Sequence, residues 1–123
     1  MVALQVSIRD SGAVTILDLR GKLTIDGETE LLTEHLDRLA NTGLRKVLLN
    51  LAELSQIDSS GISVIVAACN RLRRKGGDLK LLSPTRHVLE VMNALRLLKA
   101  IAGFSDESEA LASFRPVSSA AKP

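Results

Sequence analysis

The segment from Ile57 to Val66 combines side chains that could carry chemistry with a helix that would position them. Asp58, Ser59 and Ser60 each offer a side-chain oxygen to the free N–H groups of a first helical turn. The apolar residues that follow recur at helical spacing and predict a buried stripe of Ile62, Ile65, Val66, Cys69 and Leu72. The helix dipole favours negative charge at such a start, so this turn is a natural place for a phosphate group.

The same helix has a second face of different character. Val64, Ala67, Ala68 and Arg71 fall largely off the apolar stripe. Small side chains on an exposed helix face leave a smooth surface. We therefore predict that this face contacts a partner, with Val64, Ala67 and Arg71 as the contact residues.

Composition limits the possible functions. The 123 residues are most simply one domain, and 46% of them are hydrophobic, enough for a core. Only 2% are aromatic, with no Trp or Tyr, which argues against a base-stacking surface for nucleic acid. The net charge is +2, and one basic cluster stands out, Arg71 to Lys75. We interpret it as a solvated helix end and rank nucleotide or nucleic-acid binding through Arg71, Arg73, Arg74 and Lys75 last.

The residue types that bind metals or form disulfides are scarce. Cys69 is the single cysteine and lies on the apolar stripe, and His35 and His87 are far apart, so we expect no disulfide, metal or other cofactor. The N-terminal residues do not form a signal peptide, and no apolar run is long enough to cross a membrane. A soluble, cytoplasmic protein is the expectation.

The order of apolar patterns predicts an α/β fold, a single domain over residues 1–114 with a mixed sheet of four to five strands and about four helices. We expect antiparallel strands at about 3–9 and 13–20, a loop over 21–27, a helix over 28–40, a central strand over 46–51 and a loop over 52–57. Then follow the helix from near Ser60 to Gly76, a strand at 79–82, a helix from Ser83 to about Leu95, a short strand near 99–101 and a helix over 106–114. Residues 115–123 are predicted to be a disordered tail.

With that order in place, the sequence strongly resembles the anti-sigma factor antagonist family, the bacterial stand-alone STAS domains, over residues 3–114. Four segments carry the resemblance: Gly21-Lys22-Leu23, Val47-Leu48-Leu49-Asn50-Leu51, Ile57-Asp58-Ser59-Ser60-Gly61-Ile62 and Gly76-Gly77-Asp78-Leu79-Lys80-Leu81. The Asp-Ser-Ser-Gly motif alone is weak, but it is specific between these strands.

The resemblance implies a partner switch. Such a protein binds an anti-sigma factor that is also a serine kinase, and so releases a sigma factor. The kinase phosphorylates the first serine after the aspartate, here Ser59, and a serine phosphatase resets it. Asp58 and Ser60 belong to the contact region, and Gly61 is expected to let the backbone of the partner approach closely.

One position departs from the family pattern. Many members carry an acidic residue where this chain has Thr24. Thr24 therefore bears on the choice of partner, and Asp26 is close enough in sequence to substitute for the missing acid.

Other interpretations stay open beside this one. Ser59 on spacing alone is an N-cap of ordinary structural value. An enzyme has little support, because no nucleophile–base pair, P-loop or metal set can be argued from the sequence. The second hypothesis is a STAS interaction module that does not switch, such as a lipid-transport ATPase subunit or a stress-signalling scaffold. A monomer or weak dimer is expected.

Overall fold

The computed structural model describes residues 4–25, 29–97 and 99–114. Its elements follow in the order β1 (Leu4–Ser11), β2 (Val14–Leu23), α1 (Thr29–Asn41), β3 (Lys46–Ile57), α2 (Ser59–Arg74), β4 (Asp78–Leu82), α3 (Arg86–Ala94), β5 (Gly103–Phe104) and α4 (Glu107–Ala112).

The strands form one mixed sheet in the order β1-β2-β3-β4-β5. β1 and β2 are an antiparallel hairpin, closed at Ser11 and Val14, and the other neighbouring strands are parallel. Each parallel connection passes through a helix, as a crossover requires. The α/β class and the five-stranded sheet confirm the fold predicted from the sequence.

The two central strands are longer than predicted. β2 continues to Leu23 and β3 to Ile57, so the loop expected over 52–57 is wrong, and the loop expected over 21–27 begins only after Leu23. The two extensions pair with each other, with register shifts between Asp18 and Arg20 and between Gly21 and Lys22. Such irregularities interrupt the period-two alternation by which a strand is recognised in sequence.

Two smaller predictions also need correction. The last strand lies at Gly103–Phe104 and not near 99–101, because buried Ile101 enters the core from a loop. On α2, Ala68 is buried and Val66 is only half-buried, although the sequence placed Val66 on the stripe and Ala68 off it. The small Ala68 side chain is part of the core cluster.

Helices cover the two faces of the sheet unequally. The larger core lies between one face and α1, α2 and α3, and includes Leu36, Ile65 and Val88. The smaller core on the other face lies beneath α4 and holds Val14, Ile16, Leu48, Leu82, Ala110 and Phe114. The larger core brings α1 and α2 side by side on the first face.

Some predictions fall outside the described residues. These predictions concern Asp26, the start of the first helix at residue 28, and the tail at 115–123. The domain boundary at residue 114 also stays a prediction. No helix in the described ranges is long and apolar enough to cross a membrane.

Candidate functional site

Asp58 fastens the start of α2 to the end of β2. One carboxylate oxygen, Oδ1, accepts a hydrogen bond from the Gly61 N–H at 3.1 Å and so caps the helix. The other, Oδ2, accepts a hydrogen bond from the Ile25 N–H at 2.9 Å. The Asp58 N–H in turn donates to the Leu23 carbonyl at 3.4 Å. One aspartate therefore caps α2 and also binds the backbone of Ile25, two residues after the end of β2.

These contacts favour the ionised form of Asp58. The N–H of Ile25 contributes most to lowering the pKa of Asp58 below its ordinary value. Partial burial opposes this shift, and the N–H groups of Gly61 and Ser60 add to it. Asp58 thus carries a negative charge at neutral pH, directly beside Ser59.

Gly61 is buried against its own chain. A Cβ at this position would overlap the carbonyl oxygen of Leu23 and lie 2.9 Å from Cγ1 of Ile57. The sequence analysis assigned the missing side chain to the approach of a partner backbone. That reason is wrong, because the space is taken by the last residue of β2.

Ser59 is the first residue of α2 and is exposed. Since the capping oxygen comes from Asp58, the interpretation of Ser59 as an N-cap is wrong. Ser59 begins a row at four-residue spacing with Ser63, Ala67 and Arg71, here called the α2 row. The first three side chains of the row are exposed and small, and the predicted contact surface therefore begins at Ser59.

A shallow groove of about 190 Å³ runs between the α2 row and α1. Ser63, Val64, Ala67, Ala68 and Arg71 line it from α2, and Thr33 and Leu36 line it from α1. Arg71 forms an ion pair with Asp37 of α1 at one end. The three predicted contact residues Val64, Ala67 and Arg71 are thus brought together.

The other predicted residues lie near the helix start. Ser60 is half-buried in the first turn, and Thr24 is half-buried between Leu23 and Ile25. Asp26 lies outside the described residues, so its substitution for the missing acid stays a prediction.

Part of the basic cluster at the end of α2 is engaged in contacts within the domain. Arg73 pairs with Asp78 at 2.8 Å and also donates to the Ala100 carbonyl at 2.6 Å. Arg71 is engaged by Asp37. Two of the four cations therefore serve internal contacts, which removes support from a nucleic-acid surface. In the described part of the chain, no three His, Cys, Asp or Glu side chains group closely enough to hold a metal ion.

Sequence reasoning missed several residues of this region. Ser63 could have been found, because it lies four residues after Ser59 on a predicted helix. Thr33, Leu36 and Asp37 could not, since their place beside α2 depends on how two helices pack. Ile25 is 74% exposed, and its position beside Asp58 follows from a hydrogen bond between residues far apart in sequence.

The fold agrees with comparisons to known proteins. The model of the STAS domain family matches residues 5–110, and the chain belongs to that family.

Relatives of known description share the fold. A Thermotoga neapolitana protein named "Putative anti-sigma factor antagonist TM1081 homolog" is 33% identical over 75 residues, 61% of this chain and 66% of that protein. The chain thus spans slightly less than two thirds of this relative. The crystal structure of TM1081 from Thermotoga maritima has a TM-score of 0.85 at 27% identity and covers 90% of this chain and 95% of its own.

A second solved structure has the same fold. The phosphorylated form of SpoIIAA, a cell fate determinant from Bacillus, has a TM-score of 0.71 at 20% identity. The match covers 90% of this chain and 100% of SpoIIAA. This chain therefore has the fold of anti-sigma factor antagonists.

Proposed function

We propose that this protein is an anti-sigma factor antagonist that binds an anti-sigma factor with serine-kinase activity and so releases a sigma factor. In this proposal, phosphorylation of Ser59 switches the protein off and a serine phosphatase restores it. The observation that carries the proposal is the placement of Ser59, exposed at the head of the α2 row and outside the cap formed by Asp58. The descriptions of the Thermotoga relatives support the same class.

The contact surface in this proposal consists of the start of α2 and its exposed face. Asp58, Ser60 and Thr24 surround the phosphorylation site, and Val64, Ala67 and Arg71 extend the contact along the groove. Gly61 acts indirectly, by letting α2 lie against Leu23. Asp26 belongs to the same loop by sequence.

Phosphorylation would work here by charge and desolvation. The Ser59 hydroxyl oxygen attacks the γ-phosphorus of ATP, ADP leaves with the bonding electrons, and a base of the kinase takes the hydroxyl proton. The product carries about −1.5 to −2 charges. Ionised Asp58 is the adjacent residue, so the added charge increases a negative charge already present. Burying that charge against a fitted partner would cost several kcal/mol, enough to abolish micromolar binding.

The test uses the anti-sigma kinases encoded in the same genome, each incubated with the protein and ATP. Intact-mass spectrometry with site mapping should find one phosphate, on Ser59. Ser59→Ala should bind the kinase and take up no phosphate, and Ser59→Asp should bind at least about tenfold more weakly.

Ser108 offers a matched control. It is exposed near the start of α4, a helix that Asp106 caps much as Asp58 caps α2, and α4 lies on the other face of the sheet. Ser108→Asp should leave binding unchanged. Wild-type binding by Ser59→Asp would contradict the switch, and tight binding without phosphorylation would favour the module that does not switch.

A further inference from the structure

Ile25 is a large apolar side chain that stands in solvent. It is 74% exposed, whereas Ile8, Leu89 and Leu95, the other exposed large hydrophobic residues of the described chain, are 48%, 38% and 51% exposed. Leaving such a side chain in water sacrifices the stabilisation that its burial would give. The apolar side chain of Ile25 therefore adds little to the stability of the folded domain.

The backbone of Ile25 is hydrogen-bonded to Asp58. Its N–H donates to Oδ2 of Asp58 at 2.9 Å, and the Asp58 N–H donates to the Leu23 carbonyl two residues earlier. That same carbonyl packs against Gly61 at the start of α2. This hydrogen bond restrains the Ile25 backbone beside Asp58, and such restraint reduces the entropy that a partner must remove on binding.

Ile25 lies beside the proposed phosphorylation site. One hydrogen bond joins it to Asp58, and Ser59 is the next residue in the chain. A kinase that brings its γ-phosphate to the Ser59 oxygen must cover the surface immediately around that oxygen. Ile25 is an exposed large apolar side chain on a residue hydrogen-bonded to Asp58, and the groove that Val64 and Ala67 line lies further along α2.

From these observations we infer that Ile25 is the apolar anchor of the complex, inserted into an apolar pocket that the anti-sigma kinase carries next to its phosphoryl-donor site. The inference rests on the proposed function and adds to it the residue that gives the contact its affinity. Asp58 is then a positioning residue, since it holds the anchor beside the phosphorylated serine.

The test compares Ile25→Ala with the wild type, using the kinase that phosphorylates Ser59. Removing three carbon atoms from a buried apolar contact should weaken binding by about 10- to 100-fold. In the phosphorylation assay KM should rise by a similar factor and kcat should change little, because Ser59 keeps its place. Ile25→Leu should restore most of the affinity.

Ile8→Ala is the matched control, because Ile8 is exposed on β1 and pairs with Leu17, six residues before the end of β2. Its variant should bind like the wild type, and thermal unfolding should show both alanine variants folded. Equal affinity of Ile25→Ala and wild type would overturn the anchor while leaving the partner switch intact. If no kinase of the genome binds the wild-type protein, the proposed function fails, and the anchor with it.

Discussion

At the scale of single residues, Asp58 has two tasks that are usually given to different side chains. Its Oδ1 caps α2 through Gly61, and its Oδ2 holds the loop through Ile25. Both contacts use the ionised carboxylate, and the lowered pKa of Asp58 reflects them. Replacement of this residue should therefore affect the stability of the domain and the placement of its contact surface together.

The stabilisation by Asp58 should depend on pH in a defined direction. Because the folded-state pKa is below the unfolded value of about 3.9, the stabilisation is present above that pH and is lost as pH falls through the folded-state pKa. Asp58→Asn keeps one acceptor oxygen and so loses the hydrogen bond from either Gly61 or Ile25, which should cost about 1 kcal/mol of unfolding free energy at pH 7. Urea unfolding of both proteins should show this difference shrinking below about pH 4. A difference that stays constant down to the lowest pH at which both fold would contradict the role of the charge.

The candidate site was predictable where one helix contained it. Asp58 as a cap followed from capping preferences, and the exposure of Ala67 followed from helical spacing, whereas Ala68 was wrongly placed and the role of Ser59 came from the family resemblance. Asp37 and Ile25 did not, because the ion pair to Arg71 and the hydrogen bond to Asp58 join residues more than thirty positions apart. The spacing of residues within one helix does not show which residues from distant parts of the sequence will contact that helix.

At the scale of elements, the contact between β2 and α2 positions the site. Gly61 lies so close to the Leu23 carbonyl that no side chain fits between them. The extension of β2 to Leu23 makes this contact, and the sequence pattern had assigned those residues to a loop. From Leu51, the last residue of the predicted strand, the buried apolar positions of β3 come at intervals of three, at Leu54 and Ile57, where the register is irregular. A strand of that kind lacks the alternation that identifies strands.

Gly61→Ala should separate α2 from β2 or strain both. We expect a loss of about 2 kcal/mol or more in unfolding free energy, in the range of overpacked cores. Gly103→Ala is the control, because the nearest atom to its added Cβ would be Cγ of Pro84 at an ordinary 3.9 Å. That variant should stay within about 0.5 kcal/mol of the wild type in the same denaturant titration. Equal stability of the two variants would show that the helix start adjusts freely.

At the scale of the whole molecule, the two faces of the sheet have different roles. The proposed contact surface lies at α1 and α2 on one face, and α4 packs on the other through Ala110 and Phe114. The Nζ of Lys80 lies 4.6 Å from the centre of the Phe114 ring and donates at 2.9 Å to the carbonyl of Ser113, which ties α4 to β4. None of these groups approaches the α2 row.

Stability and partner binding should therefore respond separately to a change on the α4 face. Phe114→Ala should lower the unfolding free energy by about 3 kcal/mol, since it removes the largest side chain of the smaller core. The affinity for the anti-sigma kinase, measured well below the melting temperature, should match that of the wild type. A parallel loss of affinity would mean that the two faces are coupled through the sheet.

The close packing of Gly61 also limits which positions could change in a duplicated copy of this domain. Under the proposed function, several such domains in one genome would each have to avoid the kinases of the others. Substitution of Gly61 or Asp58 cannot provide this selectivity between kinases, because it would destabilise the fold. Variation at Ile25, Ser63 and Ala67 can supply it, since these side chains are exposed. A duplicated copy of this domain could therefore gain a new partner by changing a few exposed positions while keeping Asp58 and Gly61.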